Sequence, residues 1–271
     1  MRVAQMALNQ ATWQKRSASR DLDGVAAYTD RGERAALERI AEEVRGRPIL
    51  DLGVGTGRTV RLLRPLTQEY FSLDLSPLMV EIARARYPGV RVDLADARTL
   101  EGYPSGHFAL VNFSWCGIDA MPPGDRRAVL EAARRVLAVD GFFVHSVLNL
   151  DGPSFRERPW RLRFWPTKNP VRLALGALGQ LAGMPLNLRN WLRIRHAGEC
   201  GPGYAVAPLS AHRYSILAHF TTLERQLLEL EEFGFDPTVV FESRHGRCVL
   251  NGDDSSATDW FHIVARRRGR D

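Results

Sequence analysis

The sequence predicts an α/β fold, a doubly wound and mostly parallel sheet, on three observations. Five short apolar runs alternate with helical segments between residues 47 and 149. Parallel neighbours need a crossover helix, so this rhythm is the one a doubly wound sheet imposes. The first run passes directly into a glycine-rich turn, as a strand feeding a ligand loop does. The chain has 271 residues, 45% of them hydrophobic, enough for one large domain with an elaboration.

Residues 1–45 read as a polar, helical cover. Within it, AALERIAEEVRG is an amphipathic helix with Leu37, Ile40, Ala41 and Val44 on one face, stopped at Gly46. RPILDLG is a buried strand, and GRTVRLLRPL a helix with Thr56 as its N-cap. EYFSLDLS is the second strand. The next helix, SPLMVEIARARYPG, has Ser76 at its N-cap, Pro77 in its first turn and Pro88-Gly89 at its stop. VRVDLAD and HFALVNFS are the third and fourth strands. A helix then runs from near Asp125 to Gly141, and FFVHSVLN is the fifth strand. The rhythm breaks near Leu150 and resumes at Thr221, where Thr221-x-x-Glu224 reads as a capping box and Gly234 closes the helix. Two late strands, PTVVFES and TDWFHIVARR, follow. The expected organisation is a cover over 1–45, a core from 46–149 and 221–267, and an insertion over 150–220.

No run reaches the roughly 18 apolar residues of a membrane span, and the N-terminus lacks the apolar stretch of a signal peptide. Three widely spaced cysteines suggest neither a disulfide framework nor a metal site, so a reducing cytoplasm is expected. No metal-ligand cluster is evident. The net charge of +6 has one source: residues 151–200 carry nine Arg or Lys against three Asp or Glu.

ILDLGVGTGRTV sets Gly53, Gly55 and Gly57 at alternate positions behind Asp51. A dinucleotide fingerprint needs glycine at 58, where Arg58 stands. A phosphate loop needs Gly-Lys-Ser/Thr, and Gly57 is followed by Arg58-Thr59. Asp74 ends the second strand and can accept both hydroxyls of a ribose. Asp96 ends the third and can take the exocyclic amine of a purine. Together they describe a nucleoside without demanding a phosphate.

These segments resemble the class I S-adenosylmethionine-dependent methyltransferases that act on small molecules. LDLGVGTGR is similar to the family's first motif, FSLDLSPLMVEIAR to its second, LADA to its third, and RRVLAVDGFFVHS to the segment entering its fifth strand. The resemblance covers about 46–149, and 221–267 also fits. It implies a seven-stranded sheet with an antiparallel final hairpin, and S-adenosylmethionine along the strands' carboxyl edge. By position it implies that Gly53 and Gly55 admit the methionine and ribose portions, and that Asp51 orders the loop near the cationic amino group. Asp74 would bind the ribose hydroxyls, Leu75 and Met79 pack on the adenine, and Asp96 and Ala97 meet its amino edge. Phe113 and Ser114 would face the amino-acid end and the methyl. Arg58 and Tyr28, the latter on a covering N-terminal helix, are candidate partners for the cofactor carboxylate, with a surface or packing role the equal alternative.

Methyl transfer from a sulfonium is an in-line displacement, so the enzyme positions the acceptor and can remove a proton. The fourth strand ends Asn112-Phe113-Ser114-Trp115, not in the Asn/Asp-Pro-Pro-aromatic motif of base-amine enzymes. A nucleic acid acceptor is thereby disfavoured, with RNA a minority reading on charge alone. The leading expectation is a small organic acceptor, aromatic or polyketide-like and methylated on oxygen, with nitrogen and carbon open. A lipid-like or quinone acceptor at a membrane and a non-catalytic binder of the same fold are the alternatives. The insertion, expected as a helical lid, contains Trp160 and Trp165 among arginines, then an apolar stretch from Asn169-Pro170, then Trp191. It reads as a lid over the acceptor, a homodimer surface, or a peripheral membrane contact through 156–195. Candidate general bases are Asp119, His212 and His219, whereas His145 reads as a packed core residue.

Overall fold

The computed structural model describes residues 2–15, 17, 28–162 and 169–269; Arg163, Trp165 and Lys168 lie outside them. Among the described residues, α1 (Arg2–Trp13) and α2 (Arg31–Val44) precede the sheet. Five parallel strands follow: β1 (Ile49–Leu52), β2 (Tyr70–Asp74), β3 (Arg91–Leu94), β4 (Phe108–Phe113) and β5 (Leu137–Asn149). Between them lie α3 (Val60–Leu63), α4 (Pro77–Arg86) and α5 (Pro123–Val136). The insertion holds α6 (Pro170–Ile194), β6 (Glu199–Gly201), β7 (Tyr204–Leu209) and β8 (Ile216–Thr221). The chain then returns through α7 (Leu223–Glu232), β9 (Phe235–Glu242) and β10 (Trp260–Arg267).

The core sheet runs β3-β2-β1-β4-β5 in parallel. β10 joins β5 antiparallel, and β9 joins β10 antiparallel. These seven strands are the mostly parallel sheet with an antiparallel final hairpin that the sequence predicts. β1 and β4 are buried at every position because helices cover both faces. Apolar clusters fill the two faces, Leu37, Ile40 and Val44 of α2 closing one and Val129, Leu130 and Ala133 of α5 the other.

β5 accounts for the insertion's attachment. It has 13 residues against six in β4, and the β4 pairing ends at Phe113↔His145. β10 already occupies the other edge as far as Leu148. The edge that β4 vacates would leave backbone groups unpaired, and β8 takes it in parallel through Leu148↔Phe220 and Asn149↔Thr221. β7 and β6 extend the ribbon antiparallel. These three strands are absent from the helix-only expectation for the insertion, because short apolar runs such as SILAHF have no periodicity that separates strand from helix.

Several boundaries shift by a few residues. The glycine loop delays α3 to Val60, so Thr59 rather than Thr56 precedes it, and the Thr59 hydroxyl goes to Asp51. Ser76 holds the N-cap position of α4, but Asp74 accepts its backbone N–H and its hydroxyl makes no cap bond. β8 runs through Thr221, so Thr222 caps α7 and accepts from the Arg225 N–H.

Asp30 caps α2 by accepting from the Glu33 N–H at 2.8 Å and also ties the helix to β10. His262 Nε2 lies 2.9 Å from Asp30 Oδ1, and Trp260 Nε1 donates to Oδ2 at 3.1 Å. Burial pushes the Asp30 carboxyl up, but the hydrogen bonds and charge of His262 prevail and hold it below the usual range. Stability from a depressed carboxyl is present above its unfolded pKa and is lost as pH falls through the folded value. Asp30→Asn keeps a good cap and removes the charge, so it should cost about 2 kcal/mol at neutral pH. Thermal unfolding of both proteins from neutrality downward should show that gap closing in acid; a gap independent of pH refutes the linkage.

Candidate functional site

The strand order reverses between β1 and β4, and a cavity of about 610 Å³ opens at the carboxyl ends there. Such a switch point is where an open α/β sheet receives its ligand. The glycine loop forms its floor. Gly53 has φ +60°, and a Cβ on it would stand 2.7 Å from the Phe113 ring. Gly55 has φ +57° and donates its N–H to Asp74 Oδ2 at 2.9 Å. A side chain at either position would fill the cradle or strain the backbone.

Asp74 stands at the centre of one wall. Oδ1 accepts from the Ser76 N–H at 2.8 Å and Oδ2 from Gly55, which leaves each oxygen further acceptor capacity. Burial raises its pKa, opposed by those backbone donors. Leu75 and Met79 line the same wall, with Asp96 and Ala97 beyond. Arg98 grips Asp96, Nη2 to Oδ2 at 2.6 Å; burial opposes ionisation, but the arginine prevails and keeps the carboxyl below its usual range. Phe113 and Ser114 line the cavity from β4.

Three expected cofactor contacts are corrected. Asp51 is buried and does not line the cavity: it accepts from Thr59 Oγ, Tyr70 Oη at 2.7 Å and Asn112 Nδ2 at 2.7 Å. It orders the loop by tying it to β2 and β4, and its burial keeps it off the cavity wall where an ammonium group would lie. Arg58 does line the cavity, but its terminal donors are taken. Nη1 serves Glu33 Oε2 at 2.6 Å and the Tyr28 carbonyl at 3.2 Å, and Nη2 serves Glu33 Oε1 and Ser114 Oγ at 2.6 Å. With Glu33 neutralising it, Arg58 is not available as a carboxylate clamp in this arrangement. Tyr28 is not helical; it precedes α2 as extended chain, half exposed, its ring 6.0 Å from Trp115 and outside the cavity.

The three candidate bases separate. Asp119 is fully buried against Arg126 and accepts the Leu148 N–H at 2.6 Å, away from the cavity. Burial pushes its carboxyl up to about 7 against the pull of Arg126. His219 is buried, stacked on Tyr204 with ring centroids 5.2 Å apart and Nδ1 3.9 Å from Asp119. Burial and Arg126 lower it to about 2, so it stays neutral. β8 explains its orientation: Ile216 and Ala218 line the cavity, so His219 points to the other face. His212 is the histidine that lines the cavity, its ring edge-on to Trp13 at 4.7 Å. His145 is the packed core residue expected, stacked on Phe143.

Other residues complete the walls. Asn9 fixes α1 over the cavity by bonding the Leu217 backbone in both directions, Nδ2 to the carbonyl at 2.8 Å and Oδ1 from the N–H at 3.0 Å. Met6, Gln10, Trp13 and Gln14 then face inward. Trp115 and Cys116 have φ of 51° and 54°, and His212, Arg213 and Tyr214 have 52°, 58° and 56°. Left-handed backbone without glycine costs energy, and both runs border one cavity, a distribution associated with function. Ser76 Oγ and Trp115 Nε1 are buried without a hydrogen-bond partner among the described residues, and both residues line the cavity. Orphaned polar atoms at a cavity wall fit a polar ligand.

Sheet, switch point, glycine cradle and strand-end acids define a Rossmann-like domain with a cavity at its switch point. A methyltransferase-domain family model matches residues 49–141. No curated protein matches the chain. Solved structures share the fold. One is a 1,6-didemethyltoxoflavin-N1-methyltransferase of Burkholderia thailandensis with bound 1,6-didemethyltoxoflavin and S-adenosylhomocysteine, 15% identical, TM-score 0.61, covering 99% of this chain and 91% of that one. An S-adenosylmethionine-dependent methyltransferase of Mesorhizobium loti is 21% identical, TM-score 0.54, over 86% and 98%. An amino pentose methyltransferase of Micromonospora echinaspora, bound to S-adenosylmethionine, is 17% identical, TM-score 0.51, over 92% and 96%. Residues 49–141 thus match a methyltransferase domain, and the whole chain has the fold that these S-adenosylmethionine-dependent methyltransferases share.

Proposed function

We propose that the protein methylates a small organic acceptor, on oxygen first, held between α1 and residues 209–218. The observation that carries this is one cavity lined both by the nucleoside-type wall at Asp74 and by Trp13 and His212. S-adenosylmethionine supplies an electrophilic methyl on a sulfonium. In this reading Asp74 accepts the ribose hydroxyls, Leu75 and Met79 pack the adenine, and Asp96 and Ala97 face its amino edge. The glycine loop and Phe113 leave room for the amino-acid end, with Ser76 and Trp115 as further donors. The aromatic ring of Trp13 sides a flat acceptor, and His212 takes the proton as the acceptor heteroatom is alkylated. Residues 46–149 and 221–267 form the cofactor-binding core, residues 1–45 the cover, and the end of the insertion the acceptor wall. The toxoflavin-type N1-methyltransferase of the same fold keeps a nitrogen acceptor in view. The three free thiols, Cys116, Cys200 and Cys248, favour a reducing cytoplasm.

A labelled-methyl screen against phenols, amines, quinones and lipid extracts identifies the acceptor. His212→Asn tolerates the left-handed backbone and should lower turnover of that acceptor about 100-fold or more. Cofactor affinity should be unchanged. Unchanged turnover removes His212 as the proton acceptor.

A further inference from the structure

The outer side of α6 carries chemistry that methyl transfer does not use. Along this helix Ala177, Gln180, Gly183, Met184, Asn187, Asn190, Trp191 and Ile194 are the shielded positions, at the three- and four-residue spacings of one helix face. That stripe faces the protein, where Asn190 donates to the Arg213 carbonyl at 2.9 Å. The opposite side presents Val171, Leu175 and Leu178, 63%, 63% and 62% exposed, followed by Leu186 and Leu192. A helix folding onto a core buries its apolar side; α6 turns that side outward and keeps amides inward. A Cβ added at Gly176 or Gly179 would meet nothing within 4 Å, so these two positions are open. None of its residues lines the cavity.

Charge selects the occupant. From Arg158 to Gly198 the sequence carries eight Arg or Lys and no Asp or Glu. Arg189 and Arg193 sit on the exposed side of α6 among the leucines. Trp160 is half exposed and meets Trp191 edge-on at 5.3 Å, with the Arg195 guanidinium 4.8 Å over the Trp191 ring. Leucines for an acyl boundary, arginines for phosphates and an exposed tryptophan at headgroup depth, here Trp160, are the three parts of an interfacial surface. A second copy of the chain fits poorly: a two-fold contact sets this acid-free, cationic segment against itself. Spanning is not the mode, since no helix among the described residues is long and apolar enough to cross a membrane.

We propose that α6 docks the protein on the surface of an anionic phospholipid bilayer. The proposal stands apart from the acceptor's identity. The full-length protein is sedimented with vesicles of phosphatidylcholine plus phosphatidylglycerol, and with vesicles of phosphatidylcholine alone. Binding should favour the anionic vesicles by about tenfold or more and fall with added salt. Leu175→Glu with Leu178→Glu should weaken it by about tenfold or more. S-adenosylmethionine binding by calorimetry should be unchanged, which shows that the variant is folded. Absence of binding to anionic vesicles, or equal binding by the variant, overturns the proposal. So does a concentration-dependent dimer that the same substitutions dissociate while vesicles capture neither protein.

Discussion

Arg126→Met should destabilise the fold by about 3–5 kcal/mol, because it strands a carboxylate in the interior. Arg126 is fully buried; Nη1 pairs with Asp119, and Nη2 serves Gln226 Oε1 at 2.7 Å and Glu229 Oε2 at 3.3 Å. The cluster joins α5, the turn after β4, α7 and, through Leu148, β5. Burial already pushes Asp119 up to about 7 with the arginine in place, so removing that charge drives its pKa higher. A carboxyl whose folded pKa is raised above the unfolded value binds its proton more tightly when folded. Its penalty is absent below the unfolded pKa and grows as pH rises toward the folded one. The deficit of the variant should therefore be smallest near pH 4 and largest above neutrality. Urea unfolding at both ends of that range measures it. Pairing the change with Asp119→Leu should recover much of the loss, since an apolar pair leaves no buried charge. A single variant as stable as the parent sinks the argument, and returns Asp119 to the candidates for catalysis.

Asp119 also shows where sequence reading stops. Its position after β4 was correct, but a turn through left-handed Trp115 and Cys116 carries Asp119 into the core, and nothing local announces that. His219 was recoverable in principle: strand alternation puts it opposite Ala218, yet the register could not be chosen without knowing what faced the cavity. The glycine loop, Asp74, Leu75, Met79, Asp96, Ala97, Phe113 and Ser114 line one cavity, and they are legible in the sequence because strand-end motifs act within a few residues of themselves. For Arg58 the sequence leaves a cofactor contact and a packing role equal, because its partner Glu33 lies 25 residues earlier. One trace was available, since Glu33 shares the apolar face of α2 with Leu37, Ile40 and Val44. An acid there needs a buried cation. The cavity wall on α1 was missed because Met6, Gln10 and Trp13 look like scattered residues of a polar helix until Asn9 fixes its face on β8.

Asp74→Ala should weaken binding of S-adenosylmethionine and S-adenosylhomocysteine by about 100-fold to 1,000-fold. The carboxylate has two duties in the proposed complex, and both are lost together. It holds the glycine loop through the Gly55 N–H, and it presents its remaining lone pairs to the ribose hydroxyls. Hydrogen bonds to a charged group contribute about 1.5–3 kcal/mol each, so losing two to the ribose alone predicts at least a 100-fold effect. Asp74→Asn separates the duties. The amide retains one acceptor oxygen, and its NH₂ group meets either a backbone donor or a ribose hydroxyl. An intermediate loss is expected. Loss of the product should match loss of the cofactor, because both carry the same ribose, and this distinguishes Asp74 from residues that meet the methyl. Calorimetry with both ligands reads all of these values without an acceptor, so the outcome does not depend on what is methylated. Parent-like affinity in Asp74→Ala would show that the ribose lies elsewhere in the cavity and that the carboxylate serves the loop alone.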